Sequence, residues 1–257
     1  MAEPILSVRG LSKSFGTLRA VDAVSVDIAR GSITGLIGPN GAGKSTLFNL
    51  LTGTLRADAG TVMLKGQDVS RAGPAALFAR GMARTFQIPR PFARMSVLEN
   101  LMLAPTHQAG ETVAGPFLRG KAVRAQETLI RDKAMAVLDF VTLQSLADHP
   151  AGQLSGGQMK LLELARVLMG DPDLILLDEP AAGVNPVLTE TLIHKIKELN
   201  GQGKTFVIIE HNMEFVMQHC APVIALAEGR VVFEGSPAQA LADPLLLDAY
   251  LGAPLDG

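Results

Sequence analysis

Ile33-Thr34-Gly35-Leu36-Ile37-Gly38-Pro39-Asn40-Gly41-Ala42-Gly43-Lys44-Ser45-Thr46 is the stretch that decides the fold. An apolar, strand-like run enters a loop that satisfies G-x-x-x-x-G-K-[ST] at every fixed position, and the amphipathic Leu47-Phe48-Asn49-Leu50-Leu51 follows. A nucleoside triphosphate needs many N–H donors at short range. Glycines let the backbone approach phosphate without a Cβ clash, and the helix opened by the loop turns its positive end toward the anion. Gly38, Pro39, Asn40, Gly41, Ala42, Gly43, Lys44, Ser45 and Thr46 are therefore the expected nucleotide-binding loop. Lys44 is expected at the β- and γ-phosphates and the Ser45 hydroxyl on Mg²⁺. The loop alone assigns ATP or GTP.

Working outward, 257 residues with 47% hydrophobic and 19% charged residues describe a globular chain able to bury a substantial core. No stretch approaches the roughly 18 consecutive apolar residues of a membrane helix. Met1-Ala2-Glu3-Pro4 carries neither a basic region nor an apolar region, so a cleaved export signal is not expected. The single cysteine, Cys220, fits a reducing compartment and reads as a small buried hydrophobe. A formal charge of −2 with one tyrosine and no tryptophan leaves neither an electrostatic footprint nor stacking platforms for nucleic acid.

Ile5 to Arg9, Val24 to Ile28, Thr61 to Leu64 and Arg230 to Glu234 alternate as strands do, and Leu174 to Leu177, Thr205 to Ile209 and Val223 to Leu226 are short continuous apolar runs. Runs of the second kind belong to a parallel sheet covered on both faces. Asn185-Pro186 starts a helix over 186–200, and Ser236-Pro237 with Gln239 makes a capping box. Residues 88–165 show helical spacing without a convincing strand, with a loop from Thr106 to Gly120.

Three further motifs narrow the chemistry: Leu154-Ser155-Gly156-Gly157-Gln158, Leu174-Ile175-Leu176-Leu177-Asp178-Glu179-Pro180 and Glu210-His211. Asp178, at a strand end, can hold Mg²⁺ or its water shell, and Glu179 can polarise an attacking water. Phosphoryl transfer asks mainly for positioning and charge stabilisation, which these carboxylates and Lys44 provide. His211 can orient that water or bond the γ-phosphate, and Gln87 is a neutral amide able to touch both Mg²⁺ and water. Taken singly, each also has an ordinary structural use as a cap or a solvated loop residue. Ser155, Gly156 and Gly157 resemble a second anion nest at a helix start; taken alone, Leu154 to Gln158 reads as a capped helix start.

On these motifs the chain resembles the ATP-binding subunits of ABC transporters over essentially its whole length. The resemblance implies an α/β fold: a P-loop NTPase (ABC ATPase) core with a mixed sheet, an N-terminal antiparallel β subdomain and an inserted helical subdomain. One domain over 1–257 is expected, with 1–87 and 166–257 as the nucleotide-binding core and 88–165 as the helical part. It implies ATP and Mg²⁺ as cofactors, Glu179 as catalytic base, His211 as switch histidine, and Lys44 and Gln87 as further catalytic residues. Ser45, Gln87 and Asp178 become the metal ligands, and Phe15, within Lys13-Ser14-Phe15-Gly16, the adenine platform. Ser155, Gly156, Gly157 and Gln158 would grip the nucleotide held by an opposite subunit, so two half-sites make one ATP site.

A finer resemblance, to the larger (LivG-type) ATP-binding subunit of branched-chain amino acid transporters, rests on five runs. They are Arg84-Thr85-Phe86-Gln87, Met95-Ser96-Val97-Leu98-Glu99-Asn100-Leu101, Asp178 through Pro186, Glu210-His211-Asn212-Met213 and Ala249-Tyr250-Leu251-Gly252. Asn185 stands where the general family has aspartate, and Met159-Lys160-Leu161 where an arginine pair is commoner. The implied partners are a second ATP-binding subunit (a LivF-like chain in the transporter, or a second copy of this chain in isolation), two permease subunits and, indirectly, a substrate-binding protein; the implied place is the cytoplasmic face of the inner membrane, peripherally. Ile88 to Met95, with Arg90, Phe92 and Arg94, would border the groove for a permease helix, or be a solvated basic loop. A soluble ABC ATPase without transport and the ATPase of a lipopolysaccharide-export-type transporter are the alternative readings.

Overall fold

A computed structural model of the chain describes residues 3–85, 91–105, 120–243 and 246, with 120–122 described by their backbone. Gln87 and most of the expected loop from Thr106 to Gly120 lie outside the described residues. The strands, in chain order, are β1 (Pro4–Phe15), β2 (Leu18–Ala29), β3 (Ile33–Ile37), β4 (Ala59–Leu64), β5 (Gln67–Asp68), β6 (Met82–Arg84), β7 (Leu174–Asp178), β8 (Thr205–Ile209), β9 (Val223–Ala227) and β10 (Arg230–Gly235). The helices are α1 (Lys44–Leu51), α2 (Pro74–Ala79), α3 (Val97–Met102), α4 (Gly120–Phe140), α5 (Gly156–Leu168), α6 (Pro186–Gly201), α7 (Met213–His219) and α8 (Pro237–Ala242).

Contacts group the chain into two compact units, one of Met1–Arg84, Asp173–Ala181 and Lys197–Gly257, the other of Thr85–Pro172 and Ala182–Ile196. The first unit holds two sheets. One runs β10-β9-β3-β8-β7-β6, parallel except for β10 at its edge; the other runs β2-β1-β4-β5 and is antiparallel. Every residue of β7 and of β8 is buried, as parallel strands covered on both faces should be, whereas β10 alternates as an edge strand does. The mixed sheet and the antiparallel N-terminal sheet are those expected. Phe48 on α1 is fully buried in a core with Ile5, Leu6, Leu47, Leu176 and Leu226.

One strand gives no sequence signal. Met82–Arg84 is three residues long and pairs with β7 through Met82↔Leu174, Ala83↔Ile175 and Arg84↔Leu176. A strand so short has no alternation to read; the neighbour supplies its reason.

In the second unit α3, α4 and α5 pack on one another through buried Val97, Leu98, Leu101, Ala134, Leu138, Leu161 and Leu162. Asn100, fully buried on α3, donates to Phe92 O (3.1 Å) and Ser96 O (2.9 Å) and accepts from the Phe92 N–H (2.8 Å). That fixes the chain entering the helix. Asn185 caps α6 as expected, accepting the Leu188 N–H at 2.9 Å.

Candidate nucleotide site

β3 ends at Ile37 and α1 begins at Lys44, so the six residues between form the loop. Its glycines are demanded by close approach. At Gly43 (φ 98°) a Cβ would stand 2.3 Å from Ala20 O, and at Gly38 (φ 151°) 2.3 Å from Leu226 O. Gly41 (φ 82°) has nothing within 4 Å of its Cβ position, leaving that side of the loop open. The Gly229 N–H donates to Ala42 O at 3.0 Å, tying the loop to the β9–β10 turn. Lys44, only 6% exposed, donates through Nζ to Gly38 O (2.6 Å) and Pro39 O (2.9 Å). Burial lowers its pKa below the usual lysine value, and the negative field of Glu179 and Asp178 pulls the other way. Ser45 is exposed. Phe15, at the end of β1, is 49% exposed with the Lys13 ammonium 5.8 Å from its ring centroid.

The tips of β7 and β8 carry the acid and the imidazole. Parallel register sets Asp178 opposite Ile209, so the residues that follow, Glu179 and Glu210-His211, leave the sheet side by side. Glu179 turns the chain with φ 48°, a left-handed conformation uncommon for a non-glycine residue. Its N–H still donates to Ile209 O at 3.0 Å, and its Oε1 stands 2.6 Å from His211 Nε2. Asp178, 5% exposed, is held by Arg84, whose Nη2 donates to its Oδ2 at 2.7 Å. Arg84 Nη1 donates to Asn49 Oδ1 at 2.6 Å, and the guanidinium lies 5.6 Å from the Phe48 ring centroid. Lys44, Asp178, Glu179 and His211 thus belong to one compact unit, with Arg84 and Asn49 as supports.

In the second unit, Ser155 is the N-cap of α5: its Oγ accepts the Gln158 N–H at 3.3 Å, while Gln158 Oε1 accepts the Ser155 N–H at 2.9 Å. The Gln158 amide oxygen thus serves the helix start itself. The two glycines differ. Gly156 is exposed, with only Gly183 O near its Cβ position at 3.7 Å, whereas at the buried Gly157 a Cβ would meet Leu188 Cδ1 at 2.4 Å. Gly157 lets α5 pack on the start of α6; Gly156 keeps a face open.

Residues 21–182 match the family model described as "ABC transporter". The chain belongs to the ABC transporter family. Over 252 residues it is 41% identical to the probable branched-chain amino acid transport ATP-binding protein LivG of Archaeoglobus fulgidus, covering 97% of this chain and 96% of that one. It is 37% identical over 253 residues to the high-affinity branched-chain amino acid transport ATP-binding protein LivG of Escherichia coli K12, covering 98% and 99%. Among solved structures, an ATP-binding cassette of an ABC transporter in its ADP conformation superposes with a TM-score of 0.84 at 39% identity, over 98% of this chain and 100% of that one. A nucleotide-free ATP-binding cassette gives 0.84 at 38% identity, over 96% and 98%. The fold is that of an ABC ATPase, and the chain is a nucleotide-binding ATPase cassette. Among the described residues, no helix is long and apolar enough to cross a membrane.

Of the site residues read from the sequence of this ABC ATPase, the loop 38–46, Phe15, Asp178, Glu179 and His211 lie in the first unit, Ser155 to Gln158 in the second, and Gln87 outside the described residues. Sequence reading missed two supports. Arg84 was visible as a charge inside a short apolar segment, and such a charge implies a buried partner; Asn49, on the polar side of α1, gave no signal.

Proposed function

We propose that this chain is the ATP-hydrolysing motor subunit of an ABC importer for branched-chain or chemically related amino acids. The observation that carries the catalytic part is the 2.6 Å contact of Glu179 Oε1 with His211 Nε2 on adjacent strand tips, in the unit that holds the Lys44 loop. The substrate class follows that named for relatives at 36–41% identity over nearly the full chain. In this reading the open side of the loop at Gly41 receives the phosphates, and Lys44 turns its ammonium from the Gly38 and Pro39 carbonyls to the β- and γ-phosphates. Phe15 offers its exposed ring to adenine. Glu179 accepts a proton from the attacking water, and His211, bonded to that carboxylate, holds it in place and contacts the γ-phosphate.

The donors available for a metal are oxygens, the Ser45 hydroxyl and the Asp178 carboxylate, with the Gln87 amide as third. Such a set suits Mg²⁺ shared with phosphate oxygens rather than caged by protein. The ion would neutralise charge developing on the phosphates. Arg84 orients Asp178 for that role.

The exposed nest at Ser155 and Gly156 grips the γ-phosphate bound by a second ATP-binding subunit, so closure depends on ATP and relaxes after hydrolysis. Residues 88–165 act as the helical subdomain, whose groove, bordered by Phe92, 52% exposed, receives a permease helix at the cytoplasmic face of the membrane in an assembly with two permease subunits. A substrate-binding protein delivers the cargo.

The test is reconstitution of the chain in liposomes with its permease subunits, a second ATP-binding subunit and a substrate-binding protein. ATP turnover is expected to rise when leucine-loaded binding protein is added. Turnover indifferent to every branched-chain, amide or aromatic amino acid would favour the non-transport ATPase.

A further inference from the structure

One buried carboxylate at the end of β8 has no part in these roles. Glu210 is 4% exposed; its Oε1 accepts the Ala181 N–H at 2.9 Å, and its Oε2 accepts the N–H of His211 at 3.3 Å. Main-chain accounting explains why a carboxylate stands there. The β7 ladder reaches as far as the Glu179 N–H, which donates to Ile209 O at 3.0 Å. Pro180 has no N–H to give. The chain has already turned at Glu179, φ 48°, so the Ala181 N–H lies beyond the ladder and finds its acceptor in a side chain.

The same carboxylate holds the N–H of His211, the second residue after β8. Its two oxygens therefore clamp residue 181 and residue 211, and the side chains of Glu179 and His211 meet between those anchors at 2.6 Å. A residue needed only for packing would be apolar here, as the buried Ile208 and Ile209 before it are. Burial pushes the Glu210 carboxyl above its usual range, and the two N–H donors pull it back, so keeping it here carries a desolvation cost.

We propose that Glu210 is a positioning residue that sets the geometry of the Glu179–His211 pair by tying the main chain of residues 179–181 to that of 210–211. This rests on the reading of Glu179 and His211 as the hydrolytic residues. Among the described residues, the hydrogen bonds of the Glu210 carboxylate run to the main chain at Ala181 and His211.

The test uses the full chain assembled with its transporter subunits, measuring kcat and KM for MgATP, affinity for a fluorescent ATP analogue, and the thermal midpoint. Glu210→Ala frees residues 181 and 211 and is expected to lower kcat roughly 10- to 100-fold while KM and nucleotide affinity stay within about twofold, the size of effect expected from a small misplacement. Glu210→Gln keeps an acceptor for Ala181 but turns an amide N–H₂ on the His211 N–H, so its kcat falls between parent and Ala. In a His211→Ala background Glu210→Ala adds less than about a threefold further loss, because the pair it positions is already broken. Parent-like kcat in either Glu210 variant, or a loss that multiplies independently of His211→Ala, overturns the proposal. So does a fall in nucleotide affinity and thermal midpoint in proportion to kcat. Glu179→Gln is the control for the underlying reading: ordinary turnover there removes Glu179 as the base, whatever the Glu210 variants do.

Discussion

Arg84→Met is the perturbation that most directly probes how the site is supported. The methionine keeps much of the aliphatic length against Phe48 and removes only the guanidinium. Arg84 and Asp178 side chains are 11% and 7% exposed, so deleting the cation strands a carboxylate in a place water barely reaches. Breaking a buried pair from one side costs about 3–5 kcal/mol. The lost bond to Asn49 Oδ1 falls within that range rather than adding to it, because Asn49 can rotate toward water. At about 2–4 °C per kcal/mol for chains of this size, the thermal midpoint should fall on the order of 10 °C. The assay is thermal and urea unfolding followed by circular dichroism, without nucleotide and with a chelator, so that no metal replaces the missing charge. Asp178→Asn in the Arg84→Met background removes the stranded charge and should recover about 2 kcal/mol or more. An Arg84→Met chain within about 1 kcal/mol of the parent would refute the reasoning, as would an Asp178→Asn change that adds to the loss instead of relieving it.

Other expectations concern single groups. Glu179→Gln should keep ATP binding and lose turnover by roughly 10²-fold or more, checked by equilibrium binding beside phosphate release. Lys44→Ala removes a cation from the phosphates and should weaken nucleotide affinity roughly 10- to 100-fold; unchanged affinity would contradict the loop assignment. The Cys220 thiol, 3% exposed and pushed up to about 12 by burial, should hold about one thiolate in 10⁴ at pH 8 and resist thiol reagents until the chain unfolds. Because its folded pKa is raised, its stabilising contribution is complete below pH 9 and is lost as pH rises toward about 12, by about 1.4 kcal/mol per unit. Cys220→Ala should flatten that slope.

The loop, both strand-tip acids and the helix caps were legible because each is a local arrangement: glycines where phosphate or main chain approaches, carboxylates at the ends of apolar runs, Ser or Asn before a helix. Asn185, Ser155 and Ser236 cap the helices that their spacing announces. What was not legible depends on pairing across distance in sequence. β6 has three residues and exists because β7 lies beside it, 90 residues on, and Arg84 needs Asp178 for the same reason. Glu210 stood in a motif valued for His211; its own use emerges only when the Ala181 N–H is counted and found to need an acceptor.

The strained backbone at Glu179 gives one more test, in which stability and activity oppose each other. An extended residue there would continue the alternation of β7 and carry the carboxylate along the sheet; φ 48° turns the chain at the first residue past Asp178, bringing Oε1 to 2.6 Å from His211 Nε2. A left-handed conformation costs a non-glycine residue about 1 kcal/mol or somewhat more. Glycine adopts it freely, whereas alanine bears the cost without the carboxylate. Glu179→Gly should therefore be more stable to urea than Glu179→Ala by about 1 kcal/mol, partly offset by glycine's greater freedom in the unfolded chain, and both should lack turnover. If alanine proves as stable as glycine at this position, the backbone there is not strained, and the carboxylate owes its place to the His211 contact alone.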